Sequence, residues 1–170
     1  MATLPIRPAA PITPYLWFDG QAEQAAEFYC SLFEDSGIDE VSRYTETGKE
    51  IHGREPGSAM TANFHLNGQP FVALNGGPQF PFTEAISFMV TCDTQDELDA
   101  LWAKLTDGGD PDAQQCGWCK DRFGVSWQVV PKAMWSLLGD PDPGRASRAM
   151  SAMLQMKKLD VAELERAAAG

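Results

Sequence analysis

The chain has 170 residues, of which 44% are hydrophobic, and this is enough to bury one sizeable core. Its formal net charge of −11 excludes nucleic-acid backbones and anionic membrane surfaces as partners, because both require dense patches of lysine and arginine. The N-terminal stretch MATLPIRPAAPITP contains no apolar run, so it predicts neither a signal peptide nor a membrane span, and we expect a cytoplasmic protein.

The first half of the chain predicts a strand, a helix and a hairpin. Tyr15–Phe18 is a short aromatic run, and the residues after it place an apolar set on one helical face: Ala22, Ala25, Ala26, Tyr29 and Phe33. Residues 46–57 predict an exposed loop. Met60 to Leu66 and Gln69 to Leu74 then predict two strands around Asn67-Gly68, a pair typical of a type I′ turn.

The second half repeats this order. Ile86 to Val90 predicts a strand, and Thr94 to Glu97 is a capping box that opens a helix with an apolar side formed by Leu98, Leu101, Trp102 and Leu105. Cys116 to Lys120 and Val125 to Val130 predict a second hairpin-like pair. Such a repeat usually indicates two half-sheets that pair about an axis and enclose a cleft.

A helical tail follows the second half. Asp140-Pro141-Asp142-Pro143 is a helix-start signal, and an apolar stripe comes after it: Ala146, Ala149, Met150, Met153 and Leu154. Asp160 caps a final short helix. We assign this tail to neither half. The stripe either closes the chain's own core or contacts a second subunit, since methionine side chains adapt to both.

Cys116 and Cys119 have the C-x-x-C spacing of redox enzymes and zinc half-sites. A redox pair lies at a helix N-terminus, where free N–H groups stabilise a thiolate, but here strand, turn and strand are predicted. In an extended segment residues i and i+3 point to opposite faces, so the sulfurs could not join. Structural zinc requires about four ligands, and the chain offers only His52 and His65 without a second C-x-x-C. We interpret both cysteines as ordinary strand residues.

Several stretches resemble the PhnB-like family of the vicinal oxygen chelate (glyoxalase/dioxygenase-like) superfamily: ITPYLWFDGQAEQAAEFYCSLF, MTANFHLNGQPFVALNGG, EAISFMVTCDTQDELDALWAKL, QCGWCKDRFGVSWQVVPKAMWSLL and the tail DPDPGRASRAMSAMLQMKKLD. The resemblance implies an α+β fold in which two βαβββ modules form a curved, mostly antiparallel sheet, followed by a C-terminal helical tail. It also implies a homodimer. We expect one glyoxalase-like domain over residues 1–170, with module one at about 11–77, module two at about 83–132 and the terminal helices at about 133–168.

Members of this family often carry the label of a demethylubiquinone methyltransferase domain. A methyltransferase of the usual type needs a glycine-rich turn between a strand and a helix, where backbone N–H groups approach the cofactor. Here Asn75-Gly76-Gly77 follows a strand but continues into Pro78, and Gly108-Gly109 follows a helix. We therefore expect no cofactor, and methyl transfer is an inherited name.

The resemblance also implies where a divalent metal would bind. Enzymes of the superfamily hold it through a His on the first strand, a His or Glu that opens the second module and a Glu on the last strand. The corresponding positions fall near Ile12 or Thr13, near Ala85 and at Gln128. Ile and Ala supply no donor atom and Gln supplies no negative charge, so we predict that no metal is bound. Glu84 would restore one ligand if the register slipped by one residue.

A cleft without its metal then remains as the expected binding site. Gln128 should face it together with Ser126 and Val130, while Trp127 packs under a helix. The candidate substrate-binding residues are Trp17, His65, Asn75, Cys116, Trp118 and Gln128. Each also has a structural interpretation, as a strand histidine, a turn-forming asparagine or a core tryptophan. The binding hypothesis requires that they converge on one cleft.

Two classes of function follow. The preferred hypothesis is a metal-independent protein that binds a small apolar or aromatic molecule as a homodimer. The other class is an enzyme, either a metal-dependent lyase, isomerase or dioxygenase-like enzyme of the superfamily, the methyltransferase of the family label, or a cofactor-free acid–base catalyst that uses His65 or Cys116. Both classes stay open at this point, because no residue pair has the spacing of a committed catalytic motif.

Overall fold

The computed structural model describes residues 12–170, which divide into two compact units, one up to Pro81 and one from Phe82 to Gly170. Each unit contains a strand, a helix and then three further strands, so the predicted α+β class and the βαβββ order are confirmed. Among the residues described, no helix has both the length and the apolar character needed to cross a membrane. The assignment of the whole chain to one domain stays a prediction.

The first unit is a four-stranded sheet with a helix on one face. In chain order its elements are β1 (Tyr15–Phe18), α1 (Ala22–Cys30), β2 (Gly37–Arg43), α2 (Lys49–His52), β3 (Ala59–Leu66) and β4 (Gln69–Asn75). The strands are ordered β1-β4-β3-β2, with β1 parallel to β4 and the other two pairs antiparallel. Asn67 and Gly68 both have positive φ, as a type I′ turn requires, so the predicted hairpin is confirmed.

The core of the first unit lies between α1 and one face of this sheet. Alternate strand residues are buried there: Leu16, Phe18, Ala62, Phe64, Leu66, Phe71 and Ala73. The ring centroids of Tyr29 and Phe64 are 6.4 Å apart, and those of Phe64 and Phe71 are 5.4 Å apart. The helix ends at Cys30, one turn before Phe33. The prediction that Phe33 belongs to the apolar face of this helix is therefore wrong.

The second unit repeats the arrangement and adds the tail. Its elements are β5 (Phe88–Cys92), α3 (Gln95–Thr106), β6 (Asp110–Gln115), β7 (Trp118–Lys120), β8 (Ser126–Pro131), α4 (Ala133–Leu138), α5 (Pro143–Met153) and α6 (Val161–Ala169). The strands are ordered β5-β8-β7-β6, with β5 parallel to β8 and the other two pairs antiparallel. The capping box is present, since Thr94 accepts from the Glu97 amide and Glu97 accepts from the Thr94 amide.

The strand predicted to start at Cys116 starts at Trp118. Cys116 has a φ of 52° and Gly117 a φ of 84°, so these two residues form the turn between β6 and β7. Glycine adopts this left-handed conformation without steric cost, and a two-residue turn with both φ values positive matches the twist of a hairpin. The extended geometry that we predicted for Cys116 is therefore wrong.

The tail belongs to the second unit, although we had assigned it to neither half. The amides of Cys116 and Gly117 donate to the carbonyl oxygens of Met156 and Lys157, both at 2.8 Å. Leu159 is fully buried, and a Cβ added at Gly117 would lie 3.0 Å from its Cδ1. Periodicity could not reveal this docking, because the residues that make it lie in the non-helical segment between α5 and α6.

Candidate functional site

Trp17 and His65 lie on the face of the first sheet that points away from α1. Trp17 is locked in place, since its Nε1 donates to the Gly77 carbonyl oxygen at 2.7 Å and its ring meets the edge of Phe80 with centroids 5.0 Å apart. A Cβ added at Gly76 would lie 2.2 Å from the Trp17 ring, so the glycine there makes room for the indole. These contacts give Trp17 a packing role that does not depend on a ligand.

The imidazole of His65 is held by a carboxylate that the sequence analysis did not single out. Its Nδ1 lies 2.9 Å from Oδ1 of Asp39, and both side chains are partly exposed. A Cβ added at Gly37 would lie 3.4 Å from Cε1 of the His65 ring. Because Asp39 lies on the exposed edge strand β2, which had not been predicted, nothing in the sequence placed it beside His65.

Asn75 lies on the opposite face, toward α1, and is 5% exposed. Its Oδ1 accepts from the Ala22 amide at 2.8 Å, and its Nδ2 donates to the Ala59 carbonyl oxygen at 3.0 Å. The side chain of Gln21 at the N-cap of α1 makes no capping hydrogen bond, so Asn75 serves as a remote cap for this helix. Asn75 therefore does not share a face with Trp17 and His65.

A polar cavity of about 260 Å³ borders Asn75 at the start of α1. It is lined by Gly20, Glu23, Gln24, Glu27, Arg54, Ser58, Ala59 and Asn75. Arg54 is engaged with Asp19 at 2.7 Å, and Glu23 is engaged with Arg43 at 3.2 Å. These ion pairs link Arg54, in the loop before β3, to Asp19 in the β1–α1 turn, and link Arg43 of β2 to Glu23 of α1.

In the second unit, the strand register defines what we call the Gln128 face, which consists of Met89, Trp118, Lys120, Ser126 and Gln128. Gln128 is paired with Met89 on β5 and with Trp118 on β7, and Ser126 is paired with Lys120. The alternate residues, among them Cys119, Trp127 and Val129, point to the other face and are buried. The predicted separation of Gln128 and Ser126 from Trp127 is confirmed.

Gln128 is fixed by a serine. Its Nε2 donates to Oγ of Ser87 at 2.8 Å, and Ser87 comes just before β5, which begins at Phe88. Glu84 and Ala85 precede that point, and Ser87 is the residue of this segment that bonds to the Gln128 side chain. The carboxylate of Glu84 is bonded to Lys120 instead, and this hydrogen bond lowers the pKa of Glu84.

Neither Ser87 nor Gln128 is a strong ligand for a divalent ion, because neither side chain carries a negative charge. Across residues 12–170, no three His, Cys, Asp or Glu side chains come together in a group that could hold a metal. The donor set on the Gln128 face therefore does not fit the metal that the superfamily resemblance implies.

Ser126 was predicted to share the face of Gln128, but it was not among the candidate binding residues. It is 2% exposed, and its Oγ has no hydrogen-bond partner in the part of the chain that the structure describes. A buried hydroxyl without a partner costs about 1–3 kcal/mol, so most are satisfied. The available signal was a small polar residue at the start of an otherwise apolar strand, SWQVVP.

All four cysteines are free thiols. Burial, together with the nearby charge of Asp121, raises the pKa of the Cys119 thiol to about 12. A thiolate is thereby disfavoured, which is the opposite of what a redox C-x-x-C requires. Cys116 lies in the β6–β7 turn against the tail, while Trp118 and Gln128 are cross-strand partners. Within this unit, only two of the three predicted binding residues are thus brought together.

Residues 121–128, the D-x-x-G-x-x-W-Q stretch, owe their shape to one buried carboxylate. Oδ1 of Asp121 accepts from the amides of Phe123 and Val125 at 2.8 and 3.0 Å, and Oδ2 accepts from Nε1 of Trp127 at 2.8 Å. Gly124 has a φ of 88° and lets the chain turn inside this ring of donors. The motif therefore fixes where β8, and with it Gln128, begins.

A protein-family model described as 3-demethylubiquinone-9 3-methyltransferase matches residues 10–130. The chain belongs to this family. It is 39% identical to a PhnB protein from Bacillus cereus, whose structure superposes with a TM-score of 0.61 over 72% of this chain and 99% of that one. A protein from Pseudomonas aeruginosa is 22% identical and shares the fold, with a TM-score of 0.53 over 72% of this chain and 98% of the other. No curated protein matches the chain.

The predicted membership in the PhnB-like family is thus confirmed. The family model ends at residue 130, so the helices α4 to α6 lie outside it, whereas we had extended the resemblance to the tail. The methyltransferase label finds no support in the glycine pairs. Gly76 is packed against Trp17, and a Cβ at Gly109 would lie 2.1 Å from the Lys120 carbonyl oxygen, so both close approaches serve packing.

Proposed function

We propose that this PhnB-like chain is a metal-independent small-molecule-binding protein whose ligand contacts the Gln128 face. The observation that carries the proposal is the fixed amide of Gln128. Nε2 of Gln128 donates to Oγ of Ser87 at 2.8 Å, so its Oε1 is held in a fixed orientation as an acceptor. Gln128 is also the cross-strand neighbour of Trp118 and Met89 on the same face. An aromatic wall with a few oriented polar groups is the usual composition of a small-molecule site.

The row supports an apolar or aromatic ligand. Met89 is 50% exposed, and an exposed methionine is a flexible, polarisable surface that adapts to apolar groups. Trp118 offers a flat ring beside the Gln128 amide. A ligand that donates one hydrogen bond to Oε1 and lies across these two side chains would use all three residues.

The remaining predicted residues enter the proposal with less support. Trp17, His65 and Asn75 have protein partners that account for their positions, and Cys116 lies in a turn that is held by the tail. The homodimer, the single domain and the cytoplasmic location implied by the resemblance and the composition belong to the same proposal. Size-exclusion chromatography with light scattering tests the dimer directly.

The binding proposal is tested by a thermal-shift screen of small aromatic and apolar compounds, with and without a chelator. We expect compounds that stabilise the wild type equally in both conditions and lose their effect in Gln128→Leu. Gln69→Leu, which changes an exposed glutamine of the first unit, is the matched control and should keep the effect. Elemental analysis that finds a stoichiometric divalent ion, lost in Gln128→Leu, would overturn the proposal in favour of a metalloenzyme.

A further inference from the structure

Lys120 and Ser126 are directly opposed residues of β7 and β8 on the Gln128 face. Opposed side chains of an antiparallel pair have Cβ atoms about 4.5–5.5 Å apart, so a single ligand atom can contact both side chains. Ser126 is 2% exposed and its hydroxyl has no partner within residues 12–170. The pair thus combines a cation with an unused hydrogen-bond donor, which is the chemistry that binds an oxyanion.

The present partner of Lys120 is Glu84, which lies outside the sheet and is largely exposed. The ammonium of Lys120 bonds the carboxylate of Glu84, which lies in the irregular segment before β5. The Lys120 side chain is 20% exposed, whereas that of Glu84 is 59% exposed. Lys120 therefore lies on the sheet, whereas Glu84 reaches it with an exposed side chain from a segment outside the strands. Exchange of one carboxylate for another would leave the charge at Lys120 balanced.

We propose that Lys120 and Ser126 bind the carboxylate of a small apolar or aromatic acid, and that Glu84 occupies this place until the ligand displaces it. The acid's body would extend along the strands toward Trp118 and Gln128, which are each two residues away on the same face. Two residues of a strand span about 6.6–6.8 Å, close to the length of one aromatic ring with its substituent. This inference rests on the proposed function, since it names the ligand class for the same face.

Benzoate and inorganic phosphate are the probes, and the methyl signal of Met89 in ¹³C-methyl NMR of the full chain is the readout. Met89→Leu assigns the signal. A shift with benzoate and none with phosphate identifies a carboxylate with an apolar body. A shift with both supports an oxyanion site that is less selective for the body of the ligand. The absence of a shift with both probes overturns the inference.

Substitutions test the three residues separately. Glu84→Gln removes the competing charge and should tighten benzoate binding severalfold, while Lys120→Met should weaken it at least tenfold. Ser126→Ala should weaken binding and leave the thermal midpoint unchanged or raised, because it deletes an unsatisfied buried hydroxyl. A merely structural serine would lower the midpoint and leave affinity unchanged. Asp93→Asn, which breaks the exposed ion pair of Asp93 with Lys132 in the same unit, is the control and should alter nothing.

Weaker benzoate binding in Glu84→Gln would overturn the proposal that the ligand displaces Glu84 from Lys120. This measurement does not depend on whether Lys120→Met folds. The failure of this inference is distinguishable from failure of the proposed function. If neutral compounds bind in a manner that depends on Gln128 but not on Lys120, the proposed function stands and the carboxylate site falls. If binding of 4-hydroxybenzoate, whose hydroxyl group supplies a donor for Oε1 of Gln128, depends on Lys120 and is indifferent to Gln128→Leu, the role proposed for the Gln128 amide falls instead.

Discussion

Nε1 of Trp127 donates a 2.8 Å hydrogen bond to Oδ2 of Asp121, and both side chains are almost completely buried. The other oxygen of the same carboxylate receives two backbone amides of the turn that precedes β8. One side chain therefore sets both the turn and the indole, and thereby determines which residues of β8 lie on the Gln128 face.

Asp121→Ala should lower the free energy of unfolding by about 3 kcal/mol or more, because two buried donors and one partly buried donor lose their acceptor. Trp127→Phe should cost less, since it removes one of the three hydrogen bonds and part of the ring. Urea unfolding followed by circular dichroism measures both, with Asp112→Ala as an exposed control. Additive effects of the two substitutions would contradict a shared network, which predicts coupling.

The buried thiol of Cys119 predicts a loss of stability at alkaline pH. Burial and the charge of Asp121 raise its pKa from 9.0 to about 12, so the folded chain keeps the proton after the unfolded chain has released it. The stabilisation of the folded chain by the protonated Cys119 thiol is complete below about pH 9 and disappears as the pH rises toward 12. Cys119→Ala should flatten the decline of the urea midpoint over that interval. An unchanged slope in the variant would show that Cys119 does not cause the decline.

Gly76→Ala should destabilise the first unit through the Trp17 ring. The added Cβ would lie 2.2 Å from the indole, and overpacking of this kind costs about 1–3 kcal/mol. The φ of Gly76 is not positive, so the cost comes from the clash rather than from the backbone. In a Trp17→Ala background the same substitution should be nearly neutral. Thermal unfolding of the four chains gives the coupling directly.

Asn75→Ala should lower the free energy of unfolding by about 2 kcal/mol or more, because it leaves the buried Ala22 amide and the Ala59 carbonyl oxygen without their partner. Ligand binding at the Gln128 face should be unaffected. Titration calorimetry with any compound found in the thermal-shift screen provides the check. If Asn75→Ala has normal stability and weakened ligand binding, Asn75 is part of the ligand site and not only a structural residue.

Leu159→Ala should cost about 2–5 kcal/mol, the range for a fully buried leucine, although the residue lies outside the family model. Leu154→Ala is the matched control, because Leu154 is 49% exposed and should change stability little. Urea unfolding distinguishes them. Equal effects of the two substitutions would mean that the tail is not docked through Leu159.

Local chemistry made part of the fold predictable. The Asn67-Gly68 turn and the Thr94 capping box depend on residues that are adjacent in sequence, and both are confirmed. The strands β2 and β6 were missed because most of their side chains are exposed, so neither shows the alternation of a half-buried strand. The turn at Cys116-Gly117 was mistaken for a strand because its signal is weaker than that of Asn-Gly.

The candidate site was predictable only in part, for a related reason. That Gln128 and Ser126 share a face follows from the period of two along a strand. The partners of the site residues come from distant positions: Ser87 for Gln128, Glu84 for Lys120 and Asp39 for His65. Pattern reasoning supplies orientation within one element, whereas such pairs depend on the register between elements, which only the folded chain provides.

The docking of residues 156–159 onto the β6–β7 turn has a practical consequence for anyone who recombinantly produces this protein. An expression clone trimmed to the family boundary at residue 130 would end inside β8 and would remove two carbonyl acceptors, those of Met156 and Lys157, and a leucine contact from the neighbouring hairpin. Such a product should be prone to precipitate, and a purification tag is better attached beyond Gly170 than at the shortened end.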